Sequence, residues 1–162
     1  AALALATYVA GGEPAFTELM NARAAELGLT HTHFVNCRGT PQTDHHSSAR
    51  DLATLGRFAM RDPLFRRIVR TRTAVIRYPP DAAVPVENHN RLLDHPWGDG
   101  VKTGSTSTSG KVLVGSGEPG PVALILVTMH EPTRDQEEKD AVALFERGTA
   151  EYLRRSPASA SP

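Results

Sequence analysis

The 162-residue chain is poor in several features, and each shortage removes a class of protein. Its single cysteine, Cys37, excludes an internal disulfide framework. Its 18 basic and 18 acidic residues cancel, so no net field attracts nucleic acid or an anionic membrane. No apolar run reaches the length that crosses a bilayer. With 40% hydrophobic residues, the chain has the composition of one globular domain with a substantial core.

Hydrophobic periodicity and turn residues predict a chain of mixed helices and strands. The apolar residues 1–10 indicate a helix buried in a core, and Ser48 with Asp51 indicates a capping box in which both side chains bind first-turn amides. Residues 156–162, rich in Ser, Pro and Ala, are expected to be a disordered tail. Helices are expected at 1–10, 14–27, 48–61, 64–69 and 133–155, and extended segments at 30–35, 71–78, 84–93, 100–106, 109–114 and 122–129.

Residues 100–106 (Gly-Val-Lys-Thr-Gly-Ser-Thr) end one predicted strand and lead into the next. Lys102 supplies a compact cation with three donors, beside the hydroxyl of Thr103. Gly104 has no Cβ, so the backbone of another molecule can approach it closely. The pattern favours a strand edge that holds an extended, anionic ligand, although Lys-Thr-Gly alone also fits a surface lysine in a hairpin.

Several other motifs accompany this strand in a definite order. They are Leu-Gly-Leu at 27–29, Thr-His-Phe at 32–34, Gly39, Ser-Ser-Ala-Arg-Asp-Leu-Ala at 47–53 and Asn-His-Asn-Arg-Leu-Leu at 88–93. Together with Lys-Thr-Gly, they resemble the serine D-alanyl-D-alanine carboxypeptidases, low-molecular-weight penicillin-binding proteins that trim peptidoglycan stem peptides. The resemblance extends from residue 1 to about residue 152. It implies an α+β structure, an incomplete serine β-lactamase/transpeptidase-like fold with helices packed on an antiparallel sheet. It also implies no cofactor, and a location in the periplasm or extracytoplasmic cell envelope.

Two motifs of that family, Ser-x-x-Lys and Ser-x-Asn, do not occur in the chain. In the family, the segment that matches Ala1 directly follows the second motif. Residues 1–155 are therefore expected to be the C-terminal part of a carboxypeptidase catalytic domain, inactive alone because the nucleophilic serine lies upstream. The implied partners are that upstream segment and a peptidoglycan stem peptide or β-lactam. The alternative is a non-catalytic remnant of the same fold that binds or scaffolds the cell wall.

The same resemblance assigns roles to residues of the Lys-Thr-Gly strand. Lys102 would bind the terminal carboxylate of the substrate, and the backbone N–H of Ser105 would be one oxyanion donor, so these two are the expected catalytic residues. The strand would pair with the stem peptide by adding to the edge of the sheet. Lys111, one strand later, is expected to be exposed and unimportant for acylation. The expected substrate-binding residues are Thr103, Gly104, Thr106 and His89.

Three other residue groups have competing interpretations. Seven histidines invite a metal site, but no spacing of His, Cys and carboxylates matches a structural zinc pattern, so no metal is predicted. Cys37 has the chemistry of a nucleophile, but a lone cysteine more often packs as a small hydrophobe. An arginine-rich region could bind nucleic acid, but zero net charge favours a solvated face or a surface for an anionic cell-wall polymer. Its members are Arg57, Arg61, Arg66, Arg67, Arg70, Arg72 and Arg77.

Overall fold

The computed structural model describes residues 1–78 and 81–156, and its helices and antiparallel sheets confirm the α+β expectation. The expected tail lies outside the described residues except for Ser156, as do Pro79 and Pro80. The elements are α1 (Ala2–Ala10), α2 (Glu13–Glu26), α3 (Ala49–Ala59), α4 (Pro63–Arg70), β1 (Thr73–Tyr78), β2 (Ala82–Glu87), a 3-10 helix (Arg91–Asp94), β3 (Gly98–Thr106), β4 (Gly110–Gly117), β5 (Leu124–Glu131) and α5 (Arg134–Arg155).

The central sheet consists of β3, β4 and β5, paired antiparallel in that order. Helix α5 packs on one face of this sheet. Helix α3 packs on the other face, and Gly56 makes this approach possible, because a Cβ there would lie 2.9 Å from the side chain of Val114. The buried cluster under α5 consists of Leu92, Leu113, Leu126, Ala141 and Phe145.

Strands β1 and β2 form a separate two-stranded antiparallel ribbon. The expected return strand at 84–93 is wrong in its second half, because β2 ends at Glu87 and a 3-10 helix follows. Asparagine side chains end the strand by binding nearby backbone groups. Asn88 Nδ2 donates to the carbonyls of Val69 and Thr71, at 3.1 and 3.2 Å, and Asn90 Oδ1 accepts from the N–H of Leu92.

The expected extended segment at 30–35 forms no strand. Its one β-bridge among the described residues joins His33 to His46, and its other residues lie in turns, a bend or irregular backbone. A single bridge is too short to define a strand, so this segment is held by side chains instead.

Asp51 supplies that support. Its Oδ2 accepts from the backbone N–H of His31 at 2.8 Å and from the hydroxyl of Thr32 at 2.7 Å. The capping role of Ser48 is confirmed, since its hydroxyl accepts from the N–H of Asp51. The Asp51 carboxylate, however, binds residues 31 and 32 and not the first-turn amides, so that half of the expected capping box is wrong. Burial opposes ionisation, but the hydrogen bonds from Thr32 and His31 prevail and lower the pKa of Asp51.

Helix α1 does not lie in a core, contrary to the expectation for residues 1–10. Only Ala6 is buried, and Tyr8 is 89% exposed. The physical reason is that α1 packs mainly against α2, and one neighbouring helix covers only part of the surface of an apolar helix. In the part of the chain that the structure describes, no helix combines the length and apolar character needed to cross a membrane.

Candidate functional site

Strand β3 carries five of the six predicted site residues in one uninterrupted run, Lys102 to Thr106. Its register with β4 pairs Lys102 with Val114 and Ser105 with Lys111. The sheet order makes β3 an edge strand, with no strand on its other side among residues 1–78 and 81–156. An edge strand offers alternate N–H and C=O groups to an incoming extended peptide.

Lys102 is an exposed cation on this edge strand. Paired residues of a ladder share a face, so Lys102 lies on the face of Val114, which is the face that α3 covers. Its ammonium donates to the carbonyl of Thr103. An ammonium has three donors, so this contact leaves two for an anionic ligand.

Ser105 lies on the opposite face of the strand and is exposed. Its hydroxyl accepts a hydrogen bond of 2.8 Å from Nζ of Lys111. Lys111 is half-buried, so the expectation that it is exposed is wrong. The reason is cross-strand pairing, which places Lys111 directly opposite Ser105.

The hydroxyl of Thr106 is occupied by the turn that joins β3 and β4. It accepts from the backbone N–H of Ser109 at 2.9 Å and lies 2.6 Å from the Ser109 hydroxyl. Gly110 completes the turn with a φ of 65°, where an added Cβ would come within 2.9 Å of the Glu131 carbonyl. Any substrate contact of Thr106 therefore falls to its backbone.

Arg134 is a residue of this site that the sequence reasoning did not select. One terminal nitrogen of its guanidinium, Nη2, donates to the Gly104 carbonyl at 3.0 Å. The other, Nη1, donates to both carboxylate oxygens of the buried Glu137. Arg134 thereby fixes a cation behind the Lys-Thr-Gly strand. One sequence signal was available, since an arginine in the first turn of α5 opposes the helix dipole.

His89 lies near Arg134, away from the run on β3. Both residues line a groove of about 450 Å³, which Asn88 and Asn90 also border. His89 itself is exposed. His89 thus shares a groove with Arg134, the residue that bonds to the Gly104 carbonyl of the strand.

The other candidate groups show no catalytic arrangement. Cys37 is half-buried, and its Sγ lies 3.2 Å from a Glu13 oxygen. Burial and the nearby Glu13 carboxylate raise the pKa of the Cys37 thiol, which disfavours the nucleophilic thiolate. His33 and His46 both lie against Asp44. Within the described part of the chain, no group of three or more His, Cys, Asp or Glu residues is arranged to hold a metal ion.

The chain is similar to known proteins over most of its length. A family profile described as D-alanyl-D-alanine carboxypeptidase matches residues 1–133. The D-alanyl-D-alanine carboxypeptidase DacD of Salmonella typhimurium is 34% identical over 94% of this chain and 38% of its own length. DacF of Bacillus subtilis is 29% identical over 94% of this chain and 39% of its own length. The chain thus spans about two fifths of the length of these relatives.

Solved structures give the same picture of the fold. A D-alanyl-D-alanine carboxypeptidase from Mycobacterium tuberculosis aligns with a TM-score of 0.83 at 30% identity, covering 92% of this chain and 58% of that one. The DD-transpeptidase of Streptomyces K15 aligns with a TM-score of 0.86 at 28% identity, covering 92% and 62%. The helices and the antiparallel sheet described above are therefore those of the DD-peptidase fold.

Proposed function

Because the chain belongs to the D-alanyl-D-alanine carboxypeptidase family, we propose that it carries the Lys-Thr-Gly half of a serine carboxypeptidase site for peptidoglycan stem peptides. The observation that supports this proposal best is the placement of Lys102 to Thr106 on an edge strand. An exposed cation, a small residue and an edge without a strand partner in the described residues suit an extended peptide that ends in a carboxylate.

In the proposed reaction, the backbone of β3 aligns the D-Ala-D-Ala end of the stem. Lys102 attracts its terminal carboxylate, and the N–H of Ser105 donates to the carbonyl oxygen as negative charge develops there. A serine outside this chain attacks that carbonyl, the terminal D-Ala leaves, and water then hydrolyses the acyl-enzyme. A β-lactam would follow the first half of this reaction and remain attached.

Arg134 has a positioning role in this proposal. Its bonds to the Gly104 carbonyl and to buried Glu137 hold the middle of the motif against α5. His89, which lines the same groove, remains a candidate for binding the substrate in this proposal.

The nucleophile, its lysine partner and the Ser-x-Asn serine and asparagine belong, in this proposal, to an upstream segment. Three surfaces are suited to receive it. The first is α1, whose large apolar residues are exposed. The second is the outer edge of β5, which has no strand partner among the described residues. The third is the α3 side of the sheet, which Lys102 faces and where Val112 and Val127 are half-buried. The proposed location of the protein is the cell envelope outside the cytoplasmic membrane, where the substrate is found.

Penicillin acylation tests the proposal. The chain alone should form no covalent adduct with benzylpenicillin, because no Ser-x-x-Lys nucleophile is present. The protein that includes the upstream segment should gain one equivalent of mass on the same incubation, measured by intact-protein mass spectrometry. An adduct on the isolated chain would show that a nucleophile in it was overlooked. No adduct on the longer protein, with peptidoglycan binding retained, would favour the non-catalytic wall-binding alternative.

A further inference from the structure

A groove of about 730 Å³ lies between α3 and the start of β5. Four arginines line it, and only two acidic residues do, Asp99 and Glu118. The four are Arg50, Arg57, Arg61 and Arg66. In the sequence, Arg57 and Arg61 belong to a basic region with the arginines that follow them. In the structure, they line the same groove as Arg50, which precedes them.

Both acidic residues of the groove are already neutralised. Arg66 lies 2.6 Å from one oxygen of buried Asp99 and 3.0 Å from Glu118. Arg70 lies 2.7 Å from the other oxygen of Asp99. These two arginines therefore serve the structure, since they balance a buried carboxylate.

The remaining three arginines have no such partner. Arg50, Arg57 and Arg61 are exposed, and their guanidinium groups make no hydrogen bond or ion pair with any residue of 1–78 or 81–156. With four arginines in the groove, Arg70 beside it and two carboxylates, the local charge is positive. Such a concentration of positive charge attracts anions although the whole chain is neutral.

The spacing of these arginines identifies the shape of the anion. Positions 50 and 57 differ by two helical turns, so both side chains leave α3 in nearly the same direction, and Arg61 follows in the turn after the helix. At 1.5 Å per residue, Arg50 and Arg57 are about 10 Å apart along the helix axis, and Arg61 extends the stripe beyond the end of α3. A single phosphate would contact one or two of these groups, whereas a linear chain of phosphates would contact all three.

We propose that this arginine stripe binds a linear, base-free phosphate polymer, of the polyol-phosphate or polyphosphate kind. Guanidinium groups pair with phosphate oxygens in a bidentate manner, which favours phosphates as the repeating anion. The described lining of the groove contains no aromatic side chain on which nucleic-acid bases would stack. Half-buried Ala53, Met60 and Leu124 offer apolar surface to the carbon-rich parts of a polyol-phosphate chain.

The test measures binding of the full chain to fluorescently labelled linear inorganic polyphosphate by anisotropy. The triple variant Arg50→Gln, Arg57→Gln and Arg61→Gln should lose roughly tenfold or more in affinity, since each exposed charge contact contributes modestly. The slope of log affinity against log salt should fall by about 2. The control changes three exposed arginines of α5, Arg147, Arg154 and Arg155, to Gln. It removes the same amount of charge outside the groove, so its affinity for polyphosphate should stay within about twofold of that of the parent.

Folding of the variants is checked by circular dichroism, and a triple Arg→Lys variant at positions 50, 57 and 61 should keep much of the affinity, because it retains the charge. Three competing ligands complete the experiment. Orthophosphate, polyglutamate and single-stranded oligothymidine should each bind at least tenfold more weakly. Equal losses in the stripe and control variants, or no binding at all, would overturn the proposal. Tighter polyglutamate binding would assign the groove to an acidic protein segment, and tighter oligothymidine binding would assign it to nucleic acid.

Discussion

At the scale of single residues, Lys102 should contribute mainly to acylation in the protein that includes the upstream segment. A charge-assisted contact of its ammonium contributes roughly 1.5–3 kcal/mol, which is about one to two decades in rate. Lys102→Ala should therefore slow acylation by penicillin by about that factor. Lys102→Arg should restore only part of the rate, since a planar fork replaces a point charge. Second-order acylation rates measure this.

The control for Lys102 is Lys139→Ala, because Lys139 is exposed on α5 and makes no ion pair with the described residues. Lys111 is unsuitable, since it donates to Ser105 beside the proposed oxyanion donor. Equal rates for Lys102→Ala and the parent would remove Lys102 from the site.

Asp51 predicts a pH dependence of stability that can be assigned to one residue. Its folded pKa lies below the unfolded value of 3.8. Its stabilisation is therefore fully present above that value and is lost as the pH falls through the folded pKa. Asp51→Asn should lower the melting temperature by several degrees at neutral pH, and the difference from the parent should shrink below about pH 4. Asp81→Asn, an exposed change, should match the parent throughout. A difference for Asp51→Asn that is unchanged down to pH 2 would contradict the assignment.

The sequence predicted the strand that carries Lys-Thr-Gly well, because its residues are consecutive. Lys102, Thr103, Gly104 and Ser105 need only a strand to come together, and turn residues after position 106 predict where that strand ends. The bond from Arg134 to Gly104 joins residues 30 positions apart, and no local pattern encodes it. The Lys111–Ser105 contact needed the exact register of the hairpin, which the composition of the turn does not specify.

At the scale of elements, the contact between α3 and the sheet depends on one missing side chain. A Cβ at Gly56 would meet the side chain of Val114 at 2.9 Å and that of Ile125 at 3.5 Å. Gly56→Val should therefore lower the free energy of unfolding by about 1–3 kcal/mol through overpacking. Arg57→Val puts the same branched residue at the next, exposed position, and should cost well under half of that. Urea denaturation compares the two variants, and a Gly56→Val variant at least as stable as Arg57→Val would show that packing against the sheet does not limit this position.

The predicted boundaries of elements were wrong where side chains, instead of a neighbouring strand, bind the backbone. Residues 30–35 include β-branched and aromatic side chains typical of a strand, yet Asp51 binds the backbone N–H of His31 and the hydroxyl of Thr32 instead. Residues 88–90 were expected to continue a strand, but Asn88 and Asn90 bind nearby backbone groups instead. Long elements such as α5 were predicted to within a residue at each end, since their periodic pattern leaves little choice.

At the scale of the whole molecule, the chain should associate when it is alone. Leu5, Tyr8 and Val9 of α1 are more than half exposed, and apolar patches of this kind favour contact between copies. Leu5→Lys with Tyr8→Lys should shift sedimentation toward the monomer. The control, Ala22→Lys with Ala25→Lys, adds the same charge to exposed positions of α2 without removing a large apolar side chain. A parent chain that is monomeric and melts reversibly would contradict the prediction.

The two outer strands of the central sheet give that association a direction. Among the described residues, β4 is the only strand that pairs with β3 and the only strand that pairs with β5. If the outer side of β3 in one copy meets the outer side of β5 in the next, the contact joins two different surfaces and leaves one of each unused. Such a contact adds copies head to tail, into an open filament unless the rotation between copies closes a ring, so it does not stop at a dimer. A peptide that occupies the outer side of β3 would then block the addition of another copy there. The assemblies would become smaller when the peptide is added, and this change in size needs no measurement of the reaction.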